Sequence, residues 1–238
     1  MSEWKPRRFW TEARAVAEGD GYTVRLDGRP VKTPAKAPLI VPSLALAEAL
    51  ASEWDAQQEV VDPSTMPLTR TANSAIDKVA VQHAEVAEML AAYGDSDLLC
   101  YRADSPAELV GRQAATWDPV LDWAEAEFGA RLEPRTGILH APQDPEALAR
   151  LTARVHALTP FELAAFHDLV ALTGSLVLGF AAFLTTWSGD EVWDMSRLDE
   201  NWQEEQWGAD EEAQQITAFK RTAFHDARRF LSLLTYGN

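Results

Sequence analysis

The sequence predicts an α+β fold: a small antiparallel β-containing N-terminal domain over residues 1–104, followed by a larger all-helical C-terminal domain over residues 105–238. Three observations carry that expectation. The segment YTVRLDGRPVKTP alternates apolar and polar residues around a turn dipeptide, the pattern of a hairpin. From Ser105 onward apolar residues recur almost throughout at helical spacing. A chain of 238 residues that is 47% hydrophobic has enough apolar mass for a real core.

Taken in order, Tyr22, Val24 and Leu26 share one strand face, Asp27-Gly28 makes the turn, and the chain returns through Val31, with Pro30 marking an edge strand. PLIVPS reads as a short strand ahead of Ser43, the N-cap of a helix striped by Leu46, Leu50 and Trp54. MPLTRTANSAIDKVAVQHAEVAEMLAAYG reads as two helical stretches closed by Gly94, and DLLCYR as a short buried strand or an extended linker. SPAELVGRQAATWDPVLDWAEAEFG opens with Ser105 as N-cap, Pro106 at the first helical position and Glu108 at the capping-box position, and breaks or kinks before Pro119. Asp144-Pro145 opens a helix striped by Leu148, Leu151, Val155 and Leu158, and Thr159-Pro160 with Glu162 opens the next. Between these helices only RLEPRTGILHAPQ looks non-helical.

Lys and Arg number 21 and Asp and Glu 37, a formal net charge of −16 that opposes attraction to nucleic acid and to anionic lipid. Partners are therefore expected among proteins or small molecules. A lone cysteine, Cys100, fits a reducing compartment, and the start MSEWKPRRFW lacks the long apolar core of a signal peptide, so a cytoplasmic protein is expected. The 21 uncharged residues between Asp168 and Asp190 approach membrane-spanning length. Thr173, Gly174, Ser175, Thr185, Thr186 and Ser188 interrupt them, and a buried central helix is the better account.

Little in the chain points to catalysis. It holds no phosphate-binding glycine loop of either common kind, and its five histidines include no H-x-x-x-H pair. Ser175 in TGSLV lacks the second glycine of a nucleophile elbow, and Cys100 has no basic neighbour in sequence to activate it. No cofactor, metal or catalytic residue is assigned. Carboxylates are abundant, but adjacent pairs such as Glu204 and Glu205 diverge by about 100° on a helix. A carboxylate-dependent, possibly metal-assisted hydrolase with an interdomain cleft is the alternative reading from another class.

SRLDENWQEEQWGADEEA, beginning at Ser196, sets two tryptophans among seven carboxylates. On a continuous helical wheel Val192, Met195, Leu198 and Trp202 fall on a core face. Trp193, Arg197, Glu200, Glu204 and Trp207 fall nearly opposite, on a surface both apolar and negative. Either that face meets a protein partner, where Trp and Arg are enriched, or another helix covers Trp193 or Trp207 and the acids are a solvated rim. Gly208 ends or kinks the helix, and the last helix turns Ile216, Phe219, Ala223, Phe230 and Leu233 inward.

The ordered motifs LDGRPVKTPAKAPL, EWDAQ, MPLTR…ANSAID, SDLLCYR, WDPVLDW, TGSLVLG and SRLDENWQEEQWG closely resemble the ATP12 family of F1-ATPase assembly chaperones, over nearly the whole chain from about Lys5 to Phe230. The resemblance implies a two-domain protein that binds the unassembled α subunit of F1, keeps it from aggregating and leaves before the enzyme is complete, without hydrolysing ATP. Mitochondrial members carry targeting sequences, so this chain looks like a bacterial relative. The resemblance also implies a functional acid in RLDENWQEEQWG, where Glu200, Gln203, Trp207, Gly208 and Glu211 are the matching positions. With Trp193, Arg197 and Glu204 from the wheel, these form the expected client-binding set. Trp54 is expected to maintain the fold, and Arg70 to make an interdomain ion pair or a client contact.

Overall fold

The computed structural model describes residues 7–137 and 139–235. Lys5, where the family likeness begins, and Ile138, within the expected non-helical stretch, lie outside the described residues. The class is α+β, with a small antiparallel sheet near the N-terminus and helices through most of the rest. Two compact units emerge, one from Met1–His83, Pro160–Ala165 and Arg229–Asn238, the other from Ala84–Thr159 and Phe166–Arg228.

The first unit is built on β1 (Ala13–Glu18), β2 (Gly21–Leu26) and β3 (Arg29–Pro30), antiparallel and in that spatial order. Asp27 and Gly28 both have positive φ, 47° and 81°, the turn whose twist matches that of its strands, so the expected hairpin and its Pro30 edge are present. The sequence reading missed β1, which pairs with β2 along its full length. PLIVPS forms no strand; it meets β2 through a bridge between Val41 and Tyr22 and through the Thr23 hydroxyl, which donates to the Leu39 carbonyl at 2.7 Å, and Pro38 bridges to Lys32 just after β3. Helix α1 (Leu44–Asp55) starts at Ser43, whose hydroxyl accepts from Leu46 N–H at 3.1 Å.

The EWDAQ motif organises this unit. The Glu53 carboxylate accepts from Leu68 and Thr69 N–H, both at 2.8 Å, and so caps α2 (Pro67–Ser74), whose own N-cap Met66 has no side chain for the task. Trp54 meets Trp10 edge-on at 5.4 Å, and the Asp55 and Gln57 carbonyls accept from the Arg8 guanidinium. After α2 the chain widens into a π-helical turn, Ala75–Val79, and Asp77 accepts from Thr33 and Ala35.

In the second unit, α3 (His83–Ala91) leads through two 3₁₀ turns to β4 (Tyr101–Arg102), which pairs in parallel with β5 (Arg135–Thr136). Helix α4 (Ala107–Phe128) does not break at Pro119, and it begins without the expected capping box. Pro106 is its N-cap, and the Ser105 hydroxyl donates to Asp104 instead. Helix α5 (Pro145–His156) is capped by Asp144 as expected. The long uncharged stretch spans the end of α6 (Pro160–Thr173) and all of α7 (Leu176–Phe183), separated by Gly174 in the left-handed region and by the N-cap Ser175. Every α7 residue from Leu176 to Ala182 is buried, and no helix among the described residues is long and apolar enough to cross a membrane.

Asp97 joins the two halves of this core. It is fully buried, and its carboxylate accepts from Leu99 N–H at 3.0 Å and from Val177 N–H at 3.1 Å, so it satisfies donors at the start of α7 that lie 80 residues away. Burial pushes its pKa up from 3.8 to about 6, against the opposing pull of these hydrogen bonds. Cys100 is buried close by, and desolvation together with the Asp97 charge raises its pKa, the environment of an inert thiol.

Candidate functional site

The expected client-binding residues fall on α8 (Gly189–Ser196), α9 (Leu198–Trp207) and the start of α10 (Glu211–Thr235). Helix α8 opens with a full capping box between Ser188 and Glu191. Between α8 and α9 the chain leaves helical geometry at Arg197, with φ −108° and ψ 13°. That single break rotates α9 relative to α8, so the continuous wheel used to align Trp193 with Trp207 does not hold.

Trp193 is therefore corrected from an exposed anchor to a buried one: it is 2% exposed, and its ring lies against Phe224 at 5.6 Å. Arg197 stacks over that indole at 5.4 Å and pairs with Glu200 at 2.9 Å, a brace across the α8–α9 corner. The end of α8 and the inner face of α9 are fixed to α4. Gln113 donates to Asp199 at 2.8 Å, Trp117 Nε1 donates to the Met195 carbonyl at 2.9 Å, and Arg112 lies over Trp202 while pairing with Glu205 at 2.7 Å.

What remains outward differs from the expected set. Gln203 is exposed and Glu204 half-buried, whereas Trp207, at the last position of α9, is 79% exposed. Gly208 then takes φ 88° and ψ 161°, a region essentially reserved for glycine, and so ends α9 abruptly. Asp210 accepts from Glu212 and Ala213 N–H and starts α10, with Glu211 exposed in its first turn.

Helix α10 supplies two residues that the sequence reading placed inward. Ile216 is 51% exposed and Phe219 is 75% exposed, while Phe224, Ala227, Phe230 and Leu231 are buried. At about 100° per residue Ile216, Phe219, Ala223, Ala227 and Phe230 form one stripe. The predicted apolar face is real, but packing covers only its later turns. Residues 208–222 are all exposed except the half-buried Thr217. The apolar stripe thus continues uncovered along the first three turns of α10, next to Trp207 in sequence. Glu211 and Glu212 at the start of this stripe and Lys220 on its flank have no ion-pair partner among the described residues, so charge of both signs borders it.

Outside this region, Trp54 is half-buried against Trp10, and Arg70 is exposed and makes no ion pair among the described residues. No group of three or more His, Cys, Asp or Glu side chains among the described residues is placed to hold a metal ion.

The family described as ATP12 chaperone protein matches residues 7–125. The chain belongs to the ATP12 chaperone family. Its fold is shared with the crystal structure of Atp12 from Paracoccus denitrificans, at 50% identity and a TM-score of 0.94, over 98% of this chain and 100% of the other. A protein of Agrobacterium tumefaciens has a TM-score of 0.92 at 44% identity, covering 97% of this chain and 87% of its own. The mitochondrial protein atp12 of Schizosaccharomyces pombe is 26% identical over 222 residues, 88% of this chain and 76% of the yeast protein. The ATP12 family is a chaperone family of F1-ATPase assembly. The α9–α10 region lies beyond the family-matched residues but within the structural likeness to the Paracoccus protein.

Proposed function

We propose that this chain is an assembly chaperone that binds the unassembled α subunit of F1-ATPase in the cytoplasm, shields its β-facing surface and hands it on to assembly. The strand-bearing residues 1–104 serve as scaffold, and the helical residues 105–238 carry the client surface. The role is binding and not catalysis. The observation that carries this reading is the uncovered apolar set Trp207, Ile216 and Phe219, with Trp207 among the seven carboxylates of residues 198–212.

An orphan subunit exposes a surface meant for a neighbour, partly apolar and partly charged, and it aggregates if left open. Aromatic anchors cover such a surface, while carboxylates at the rim steer encounter without greatly lengthening residence. The incoming β subunit then displaces the chaperone.

Co-expression with the F1 α subunit of the same organism, and separately with β, followed by pull-down and size-exclusion chromatography, tests the proposal. Soluble co-elution with α alone is the expected result, and Trp207→Ala should weaken it by about 1–3 kcal/mol. Equal retention of β, or no retention of α, would remove the client assignment.

A further inference from the structure

We propose that two copies of this chain associate through β1, edge to edge and antiparallel, so that their sheets join in the order β3-β2-β1-β1-β2-β3. Strand β1 lies at the edge of its sheet and pairs with β2 alone. Tyr22 exchanges hydrogen bonds with Val41, and the Val24 carbonyl accepts from Val31, so these β2 residues turn their backbone groups away from β1. Because the ladder alternates, Gly21, Thr23 and Arg25 serve β1, and their partners Glu18, Val16 and Arg14 turn their own N–H and C=O groups toward β2. Ala13, Ala15 and Ala17 then direct theirs outward, and among the described residues nothing bonds to them.

An open edge is a template for another strand, and the side chains decide which one. Residues 14–18 read Arg-Ala-Val-Ala-Glu, a segment that is its own charge complement when run antiparallel. With a two-fold axis at Val16, Arg14 stands opposite Glu18 of the second copy, Glu18 opposite its Arg14, and Val16 opposite its Val16. Ala15 and Ala17 meet Ala17 and Ala15 as the hydrogen-bonded pairs. Opposite charges directly across a strand pair attract and like charges repel, so this register is favoured, while a slip of two residues loses both Arg14–Glu18 pairs. Both side chains are within reach, 71% and 40% exposed, with present partners Glu12 and Arg25 on their own chain. Net charge also permits a copy here. Residues 84–238 carry 11 − 26 = −15, whereas residues 1–83, which include β1, carry only 10 − 11 = −1.

Sedimentation equilibrium of the full chain, up to about 300 µM because a two-strand contact lies at the weak end of interface sizes, tests the proposal. A monomer–dimer equilibrium is expected. Arg14→Glu and Glu18→Arg each set like charges opposite one another and, melting as the parent does, should each raise the dimer Kd at least tenfold. An equimolar mixture of the two restores both opposite pairs and should associate as tightly as the parent, a rescue that misfolded variants could not give. Val16→Cys should form a disulfide-linked dimer on mild oxidation, since facing residues at a non-hydrogen-bonded position bring their Cα atoms to about 4.5 Å. Arg14→Cys, far from its own copy in this register, should not, and the native Cys100 is buried. A parent that stays monomeric at the highest concentration overturns the proposal and leaves the edge to a strand of some other polypeptide. Single variants that dimerise as the parent does, a mixture that fails to recover, or cross-linking at residue 14 in place of 16 would overturn it as well.

Discussion

Mild acid should stabilise this protein relative to an otherwise identical chain carrying Asp97→Asn. The Asp97 carboxyl has a folded pKa of about 6 against 3.8 when unburied, because burial outweighs the hydrogen bonds from Leu99, Val177 and Ser175. For a group whose folded pKa is raised, the associated stability is fully present below the unfolded value of 3.8 and is lost as pH rises through about 6. That gap, at roughly 1.4 kcal/mol per pH unit, amounts to about 3 kcal/mol lost by pH 7.5, of which about half is regained by pH 5. Asparagine does not titrate. Urea unfolding of both proteins at pH 7.5 and pH 5 cancels every other titrating group in the difference, and parent minus variant should rise by between about 1 and 2 kcal/mol on acidification. The absolute effect of the substitution is a separate quantity: the amide nitrogen cannot accept, so one of the Leu99 or Val177 N–H groups is orphaned at about 1–3 kcal/mol. A flat difference between the two pH values would refute the reasoning, since it would mean that the hydrogen bonds hold Asp97 ionised at an ordinary pKa.

The two tryptophans that the helical wheel put together should separate cleanly. Trp193→Ala removes a buried ring packed on Phe224 and should cost about 3–5 kcal/mol in urea unfolding, while Trp207→Ala should leave the midpoint within experimental error and weaken only client retention. Gly208→Ala places a β-carbon in a backbone region closed to it and should cost about 1–3 kcal/mol or release the α9–α10 corner from its observed geometry. Faster amide exchange at residues 204–212 in that variant would be the signature of release, and unchanged exchange with an unchanged melting temperature would contradict the strained assignment.

Local signals in the sequence were legible where one residue type is nearly obligatory. Asp27-Gly28 gave the hairpin turn, Ser43 and Asp144 gave helix starts, and Gly208 gave a helix end, because each answers a backbone demand that few residues meet. Strand β1 was not legible: ARAVAE has only Val16 as a β-branched residue, and its pairing with β2 is imposed by tertiary contact. Asp97 opens DLLCYR, which reads as a short buried strand or an extended linker, and nothing local shows that it will meet Val177. At the candidate surface, periodicity identified the apolar faces but not which turns are covered. Trp193 was misplaced because one non-helical residue, Arg197, ends the register. Ile216 and Phe219 were placed on the correct stripe and wrongly inside, because periodicity reports rotation about a helix axis and says nothing about how far the packed body extends along it.

The first compact unit closes only with residues from the far end of the chain: the Ser43 hydroxyl that caps α1 also donates to the Leu233 carbonyl at 2.5 Å. During synthesis, which runs from the N-terminus, the sheet emerges first yet waits for Arg229 onward, while the second unit, complete at Arg228, has all its parts earlier. The order in which the two units become complete is thus the reverse of the order in which they begin. The first turns of α10 are made before the same helix supplies the last segment of the unit that precedes it in the sequence.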